Sequence, residues 1–456
     1  MTHVETPKDD ELPVTRPRKH GIFGNGMWAA GQQAVNTGLN AAIGVALIAT
    51  LPIAEYGAYA YGVALASIGM SVMSAGLSGL AVKALVMDEP ATRQIVASLI
   101  LIREVFAVGA YLLLGAISLT SGNSLSILAT LVACSAMFCR AFEAPTMWFS
   151  AHMRTPAISR YSIAVNLGSA GVRVLGLVSH WNIAFFLAVY VLEALVSGVV
   201  VTWRYLADRE SPGLGRPSWA RMKSLLGQSY PLMISGLANQ LNLRSDIVVI
   251  QTVLGVTSVA TYAAAARFSE IAYFLPTVFM NATLPVLLRT RKDHGPGSPQ
   301  YRRMLQRSYD QSFWFGVLAA TGIILVGGPI IDLVFGPEYA VSKSVLVVHV
   351  LACPFVFMAA VYSKWIIAEN RLWLSVIRHA GGAVVNIALN LVLLPRYGVL
   401  GAAYATVGSY VLASYVACFI DRASRPAALQ MTLAIVAPIR YGGSWLSRRW
   451  TTRRSK

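Results

Sequence analysis

Charge is scarce in this chain, and negative charge scarcest: 20 Asp and Glu stand against 37 Lys and Arg in 456 residues, and only 12% of positions carry either sign. The remainder is 56% hydrophobic with a mean hydropathy of +0.58. Apolar runs of about 20 residues recur along it, each enough to cross roughly 30 Å of hydrocarbon, which excludes a soluble globule and indicates a polytopic membrane protein. Cysteine is scarce too. The four present, Cys134, Cys139, Cys353 and Cys418, fall inside apolar runs without metal-type spacing. That excludes a disulfide framework and leaves them as small apolar side chains. Seven histidines are scattered, and HExxH, CxxC and GxxxxGK[ST] patterns are missing. Neither metal catalysis nor ATP hydrolysis has a visible site, no cofactor is expected, and any energy must come from elsewhere. The first 20 residues lack the apolar core and cleavage site of a signal peptide, so the first span is expected to act as an uncleaved anchor.

Hydropathy divides the chain into twelve expected spans, near 26–50, 58–82, 94–118, 126–148, 159–179, 183–205, 229–252, 260–286, 310–335, 345–368, 373–395 and 399–421. A stretch rich in Pro, Gly, Arg and Lys, residues 207–224, separates two sets of six. The expected organisation is therefore an N-terminal tail (1–25), an N-lobe (26–206), a linker (207–224), a C-lobe (225–421) and a basic tail (422–456).

Orientation follows from Lys and Arg. With Arg160 and Arg204, at the very ends of their spans, counted with the adjoining loops, 28 of the 37 lie in loops and tails on one side of the membrane, two (Lys343 and Arg396) on the other, and seven inside spans. Cytoplasmic loops carry the excess, so both termini and the linker are expected in the cytoplasm. The formal charge of +17 is explained by the same count, and nucleic acid need not be invoked. Arg448, Arg449, Arg453, Arg454 and Lys456 suit anionic lipid headgroups.

The halves carry a weak parallel repeat. LPIAEYGAYAYGVALA (Leu51 to Ala66) and LGVTSVATYAAAARF (Leu254 to Phe268) each set a small polar turn before a Tyr-Ala pair, Tyr59-Ala60 and Tyr262-Ala263. Shared Ala-rich composition could produce the same likeness. Six spans per half with like orientation place the pseudo-twofold axis along the membrane normal and the site where the halves meet.

The stretch from Leu51 to Leu85, with YPLMISGLANQLNLRSDIVVIQTVLG, ATYAAAARFSE, VFGPEYAVSKSVLVVHVLA and NIALNLVLLPRYGVLGAAYATVGSYVL, resembles the bacterial polysaccharide flippases of the multidrug/oligosaccharidyl-lipid/polysaccharide exporter superfamily. The likeness runs from about Gly26 to Ile420. It implies an all-α, MATE-like fold of twelve transmembrane helices in two six-helix lobes around a central cavity. It also implies movement of undecaprenyl-diphosphate-linked oligosaccharide from the cytoplasmic to the outer leaflet of the bacterial inner membrane. Expected partners are that substrate, membrane lipids, and a polysaccharide polymerase with export machinery; the protein is expected not to be an enzyme.

The charged positions inside spans carry the chemistry, since each costs roughly 2.5 to 3.5 kcal/mol near a helix centre if it faces lipid. A diphosphate crossing an apolar interior needs cations to replace its water, and Arg forks onto phosphate oxygens. Arg103, Arg140, Arg173, Arg244, Arg267 and Lys364 are the candidate substrate-binding residues, staggered in depth. Arg140 with Glu143 and Arg267 with Glu270 are three apart and could instead neutralise each other on one helix face. Arg103, Arg173 and Arg244 have no such local partner. Arg378, near the cytoplasmic end of its span, is expected to snorkel, and Lys364 could do likewise.

Glu193, alone in the middle of its span, Asp246 and Glu270 are the ion-coupling candidates; a satisfied interhelical hydrogen bond is the other reading for Glu193, and Asp246 could pair across helices. Gly62, Gly69, Gly76 and Gly79 suggest close helix packing, and Pro231, Pro276 and Pro285 could permit bending. Asn281-Ala282-Thr283, a glycosylation triplet inside a span, reads as chance. A multidrug exporter of the same superfamily would carry more acidic than basic groups in its cavity. A polymerase would carry a large outer loop, and every outer loop here is short.

Overall fold

A computed structural model describes residues 22–440, all organised around helices, with no strand among them. In hydrocarbon every backbone N–H and C=O must be satisfied within the segment, so these apolar runs have little alternative to helix. The first half comprises α1 (Ile22–Thr50), α2 (Ile53–Ser74), α3 (Leu77–Met87), α4 (Thr92–Leu119), α5 (Ser124–Ala141), α6 (Thr146–Ala151), α7 (Thr155–Val178) and α8 (Ile183–Leu206). In the second half, α9 (Trp219–Leu254) and α10 (Val256–His294) are joined by Gly255 alone, whose φ of +86° only glycine adopts without strain. Then come α11 (Pro299–Ile330), α12 (Ala340–His349), α13 (Cys353–Ala368), α14 (Trp373–Tyr397), α15 (Val399–Val411), α16 (Ala417–Ile420) and α17 (Arg425–Ile435). A π-helical turn, Leu412–Val416, links α15 to α16.

The halves repeat the same packing. In the first, α2 and α4 pack on α5, α5 on α8, and α1 and α8 on α7; in the second, α10 and α11 pack on α13, α12 on α15, and α9 and α15 on α14. Between the halves, α2 packs along both α9 and α10, and α1 reaches α10. Gly57 of α2 meets the Val256 carbonyl so closely that a Cβ has no room. Thirty ångströms or so along the same seam, Gly76 (φ +64°) lies against the backbone of Leu232 and Met233. Of the four glycines of the second expected span, Gly62, Gly69 and Gly76 sit at close helix contacts and Gly79 faces open space. Gly76 and Ala75 also break that span into α2 and α3.

Nine helical stretches among the described residues are long and apolar enough to cross a membrane, which makes this a multi-pass membrane protein. The three other long helices, α1, α9 and α10, are more polar: α1 carries Gln32, Asn36 and Asn40, and α9 and α10 carry the charges and internal prolines. Pro231, Pro276 and Pro285 all lie within continuous helix.

The connection between the halves is shorter than expected, because α9 already begins at Trp219. It is also ordered against the first half. The Gly215 amide donates to the Arg93 carbonyl at 3.1 Å, the Ser218 amide to the Ser98 hydroxyl at 3.0 Å, and the Tyr205 hydroxyl to the Gly213 carbonyl at 3.0 Å. The segment expected to be a basic tail opens with α17, which docks on α11 through Trp314 Nε1 to the Ala434 carbonyl (3.0 Å) and Gln306 Nε2 to the Gln430 carbonyl (2.9 Å). The first 21 residues of the expected N-terminal tail and the basic cluster Arg448 to Lys456 lie outside the described residues.

Candidate functional site

Two polar clusters face each other across the seam. The first grows from residues four apart on two helices. Ser169 and Arg173 share a face of α7, Glu193 and Ser197 share a face of α8, and the two faces meet. Glu193 accepts from Arg173 at 2.7 Å, from Ser169 at 2.8 Å and from Arg140 at 3.3 Å. Arg140 also holds Glu143 at 3.2 Å, and Ser197 donates to the same Glu143 oxygen at 2.6 Å. Arg173 is almost fully buried, while Arg140 and Glu143 keep about a quarter of their side-chain surface open. Arg103 of α4 is buried, its Nε lacks a hydrogen-bond partner, and its guanidinium lies within electrostatic range of Glu143. Neighbouring Glu104 is half-buried on another face.

The second cluster belongs to α9 and α10. Arg244 forks onto Glu270, at 2.7 Å and 3.3 Å. Arg267 turns away from Glu270 and donates to the Asn40 carbonyl of α1 at 3.2 Å, crossing from one half to the other over Gly44, where a Cβ would have no room. Tyr56 and Tyr59 of α2 stand between the clusters. Tyr59 is within electrostatic range of Arg173, Glu193 and Arg267, and Tyr56 of Arg244, Arg267 and Glu270.

Arg173 and Arg244 lack a local partner, as expected, and pair instead with glutamates on other helices, where sequence spacing cannot reveal them. Of the two readings of Arg267 and Glu270, mutual neutralisation is not the one seen, because Glu270 is occupied by Arg244. Glu193, the lone charge of its span, makes the interhelical contacts of its second reading, with two guanidiniums and Ser169.

Asp246 is 2% exposed and lines a small pocket with Glu270 and His349; among the described residues no Lys or Arg pairs with it. Tyr262 (2.5 Å), Asn390 (2.6 Å) and Thr406 (2.7 Å) donate to its oxygens, and Asn390 in turn leans on Asn386, which accepts from Ser245 at 2.8 Å. The expected cross-helix pairing is thus with neutral donors from α10, α14 and α15. Lys364 lies half-buried in the C-terminal half of α13. Arg378 does not snorkel: it donates to the Ala359 carbonyl at 3.0 Å and the Ser363 hydroxyl at 2.8 Å on α13.

Sequence reading missed the neutral groups. Gln32 donates to Ser162 at 2.8 Å, and Asn166 to Asn36 at 2.7 Å, lining a polar face of α1 against α7. Gln32, Asn36 and Asn40, four apart in an otherwise apolar helix, were a usable signal. Among the described residues no group of three or more His, Cys, Asp or Glu is arranged to hold a metal ion.

The family model described as "Polysaccharide biosynthesis protein" matches residues 50–344. Two curated proteins of Haloferax volcanii are similar. The probable low-salt glycan biosynthesis flippase Agl15 is 23% identical over 235 residues, 50% of this chain and 49% of that one. The probable flippase AglR is 27% identical over 220 residues, 47% of this chain and 43% of that one. The chain spans about half the length of these relatives. Among solved structures, the lipid II flippase MurJ in an inward closed conformation superposes with a TM-score of 0.72 at 14% identity, over 90% of this chain and 91% of that one. An inward-facing multidrug resistance MATE family transporter of the MOP superfamily gives 0.65 at 16%, over 87% and 96%. Both share the fold.

Proposed function

Because the chain belongs to the polysaccharide biosynthesis protein family, we propose that it flips undecaprenyl-diphosphate-linked oligosaccharide repeat units from the cytoplasmic to the outer leaflet of the bacterial inner membrane. It acts as a transporter and not as an enzyme, in keeping with relatives named as flippases. One observation carries the reading. Five arginines (103, 140, 173, 244 and 267) stand with three carboxylates (Glu143, Glu193 and Glu270) along the seam, leaving positive charge in excess even when Asp246, beside Glu270, is counted. A diphosphate esterified at both ends carries two negative charges.

The paired arginines work by exchange. A diphosphate entering the seam competes with Glu193 for Arg173 and Arg140 and with Glu270 for Arg244, and its forked contacts replace those of the carboxylates. Protonation of Glu193 or Glu270 frees the arginines for substrate, which couples the cycle to an ion gradient. Asp246, buried among neutral donors, is the third coupling site. Arg103 and Arg267, with no carboxylate directly bound, provide standing attraction, and Lys364 extends the path toward the linker side. Alternating access opens the seam at either end, with termini and linker in the cytoplasm as the 28-to-2 distribution of Lys and Arg supports. A polysaccharide polymerase and export machinery would take up the product. Multidrug export, which the fold also serves in other proteins, fits poorly because a positively charged seam repels organic cations.

Deleting the gene should abolish surface polysaccharide and leave lipid-linked repeat units accumulating in the cytoplasmic leaflet. Normal surface polymer in a deletion strain lacking a paralogue would overturn the proposal.

A further inference from the structure

The second half holds a polar cavity of about 250 Å³ between α9, α10, α13, α14, α15 and the π turn, adjoining through Asn242, Leu243, Tyr273 and Tyr410 the small pocket that Asp246 and Glu270 line. No Asp or Glu lines it, but Arg378 does. The partners of that guanidinium are all uncharged or weakly basic: the Ala359 carbonyl, the Ser363 hydroxyl, His379 Nε2 at 3.1 Å and the face of the Tyr362 ring at 5.7 Å. Its Nε is buried without a partner. A buried cation whose charge nothing cancels is costly, and the cost falls sharply when an anion is held beside it. The cavity supplies further donors: Asn239, Tyr410 and Ser414 line it with side chains engaged in no hydrogen bond among the described residues.

We infer that this cavity is a binding site for a small univalent anion of the halide class, with Arg378 as its counter-charge and Asn239, Tyr410 and Ser414 as neutral donors. One guanidinium balances one negative charge. The volume lies below the range of cavities that enclose drug-sized ligands, so a diphosphate bearing sugars does not fit. The site is distinct from the seam arginines and does not depend on what they transport. An anion here ties α13 and α14 to α9 and α15, and so stiffens the second half as a unit.

The test uses the purified full-length protein in detergent, with potassium gluconate replaced stepwise by potassium chloride at constant ionic strength while thermal unfolding is followed. The unfolding midpoint is expected to rise and saturate, and potassium nitrate should reproduce the effect. Arg378→Gln should abolish the response, and Arg378→Lys should keep it with half-saturation at least tenfold higher. Should Arg378→Gln fold poorly, Ala360→Leu fills the cavity while leaving Arg378 in place and should also remove the response. Arg267→Gln, on the seam, should respond as wild type does. No rise, an unsaturating rise common to all variants, or loss of the response in Arg267→Gln would overturn the assignment.

Discussion

The two halves share one helix-packing pattern and hold their buried carboxylates in different ways. In the first, the interior between α5, α7 and α8 holds two arginines and two glutamates in one network. In the second, besides the Arg244–Glu270 pair, a carboxylate between α9, α14 and α15 is held by a hydroxyl, an amide and a phenol. Charge paired with charge keeps groups ready to change partners, since a phosphate offers an arginine much what a carboxylate does. A carboxylate among neutral donors has nothing to exchange with an anionic substrate, and is suited instead to a proton or a small cation.

The comparison is most severely broken at Asp246. Asp246→Ala removes the carboxylate shared by Tyr262, Asn390 and Thr406, and although Asn390 and Thr406 keep the Asn386 and Ala402 carbonyls and Tyr262 keeps the Thr406 hydroxyl, hydrogen bonds to a charged group worth roughly 1.5–3 kcal/mol each are lost, so folded protein should fall in size-exclusion profiles. Asp246→Asn keeps most of the shape, and should preserve yield while weakening the dependence of transport on the driving ion. If Asp246→Asn transports with unchanged ion dependence, Asp246 is not a coupling site.

Next in size is Arg173→Ala. It should lower translocation at least tenfold, equivalent to about 1.4 kcal/mol, with inserted protein reduced less, because Glu193 keeps Arg140 and Ser169. Arg173→Lys should recover part of the loss, since a point charge cannot fork. Full transport by well-expressed Ala variants at Arg103, Arg173 and Arg244 would remove the cationic seam from the mechanism.

Smaller again is the Arg244–Glu270 pair. Either single Gln variant should lose stability, and the double variant should regain part of it, with a coupling of about 0.5–3 kcal/mol. Transport should not return with stability. Recovery of both would make the pair structural.

The smallest expected effect lies outside the membrane. Burial works against ionisation of Asp208, but hydrogen bonds from Arg154, at 2.9 Å and 2.7 Å, outweigh it and hold its pKa below the ordinary carboxyl value. A depressed folded pKa stabilises above the unfolded value near 3.8 and is lost as pH falls through the lower folded value. Arg154→Ala should therefore cost about 1 kcal/mol or less at neutral pH, and the deficit should vanish in strong acid. A deficit independent of pH would assign the loss to packing of Arg154 on Trp148 instead.

The spans and the two-half arrangement were legible because hydropathy is a local quantity and the bilayer reads it locally. The charged residues themselves were legible for the same reason: an arginine in an apolar run is conspicuous. Their partners were not. Arg173 and Glu193 are separated by 20 residues, Arg244 and Glu270 by 26, Arg140 and Glu193 by 53, and only the docking of one helix on another decides such pairs. The three-residue rule worked for Arg140 and Glu143 and failed for Arg267 and Glu270, where a better-placed arginine on α9 took the carboxylate. Asn386, Asn390 and Thr406 drew no notice because uncharged polar residues in a span are common, and their meaning comes from converging on one carboxylate.

The connection between the halves has a mechanical consequence. Residues 213–218 are stitched to the start of α4, so this segment travels with the first half and cannot serve as a slack tether. The stitching continues into α9 itself: Arg221 pairs with Asp88, Met222 and Leu225 are buried with side chains of α3 and α4, and Gly76 lies against Leu232 and Met233. The first turns of α9 therefore belong mechanically to the first half, and only the stretch beyond Met233 is left to act as a lever, about 30 Å long at 1.5 Å per residue. A rotation of about 10° at its base would displace its tip by about 5 Å, more than the fit of Gly57 on Val256 can absorb.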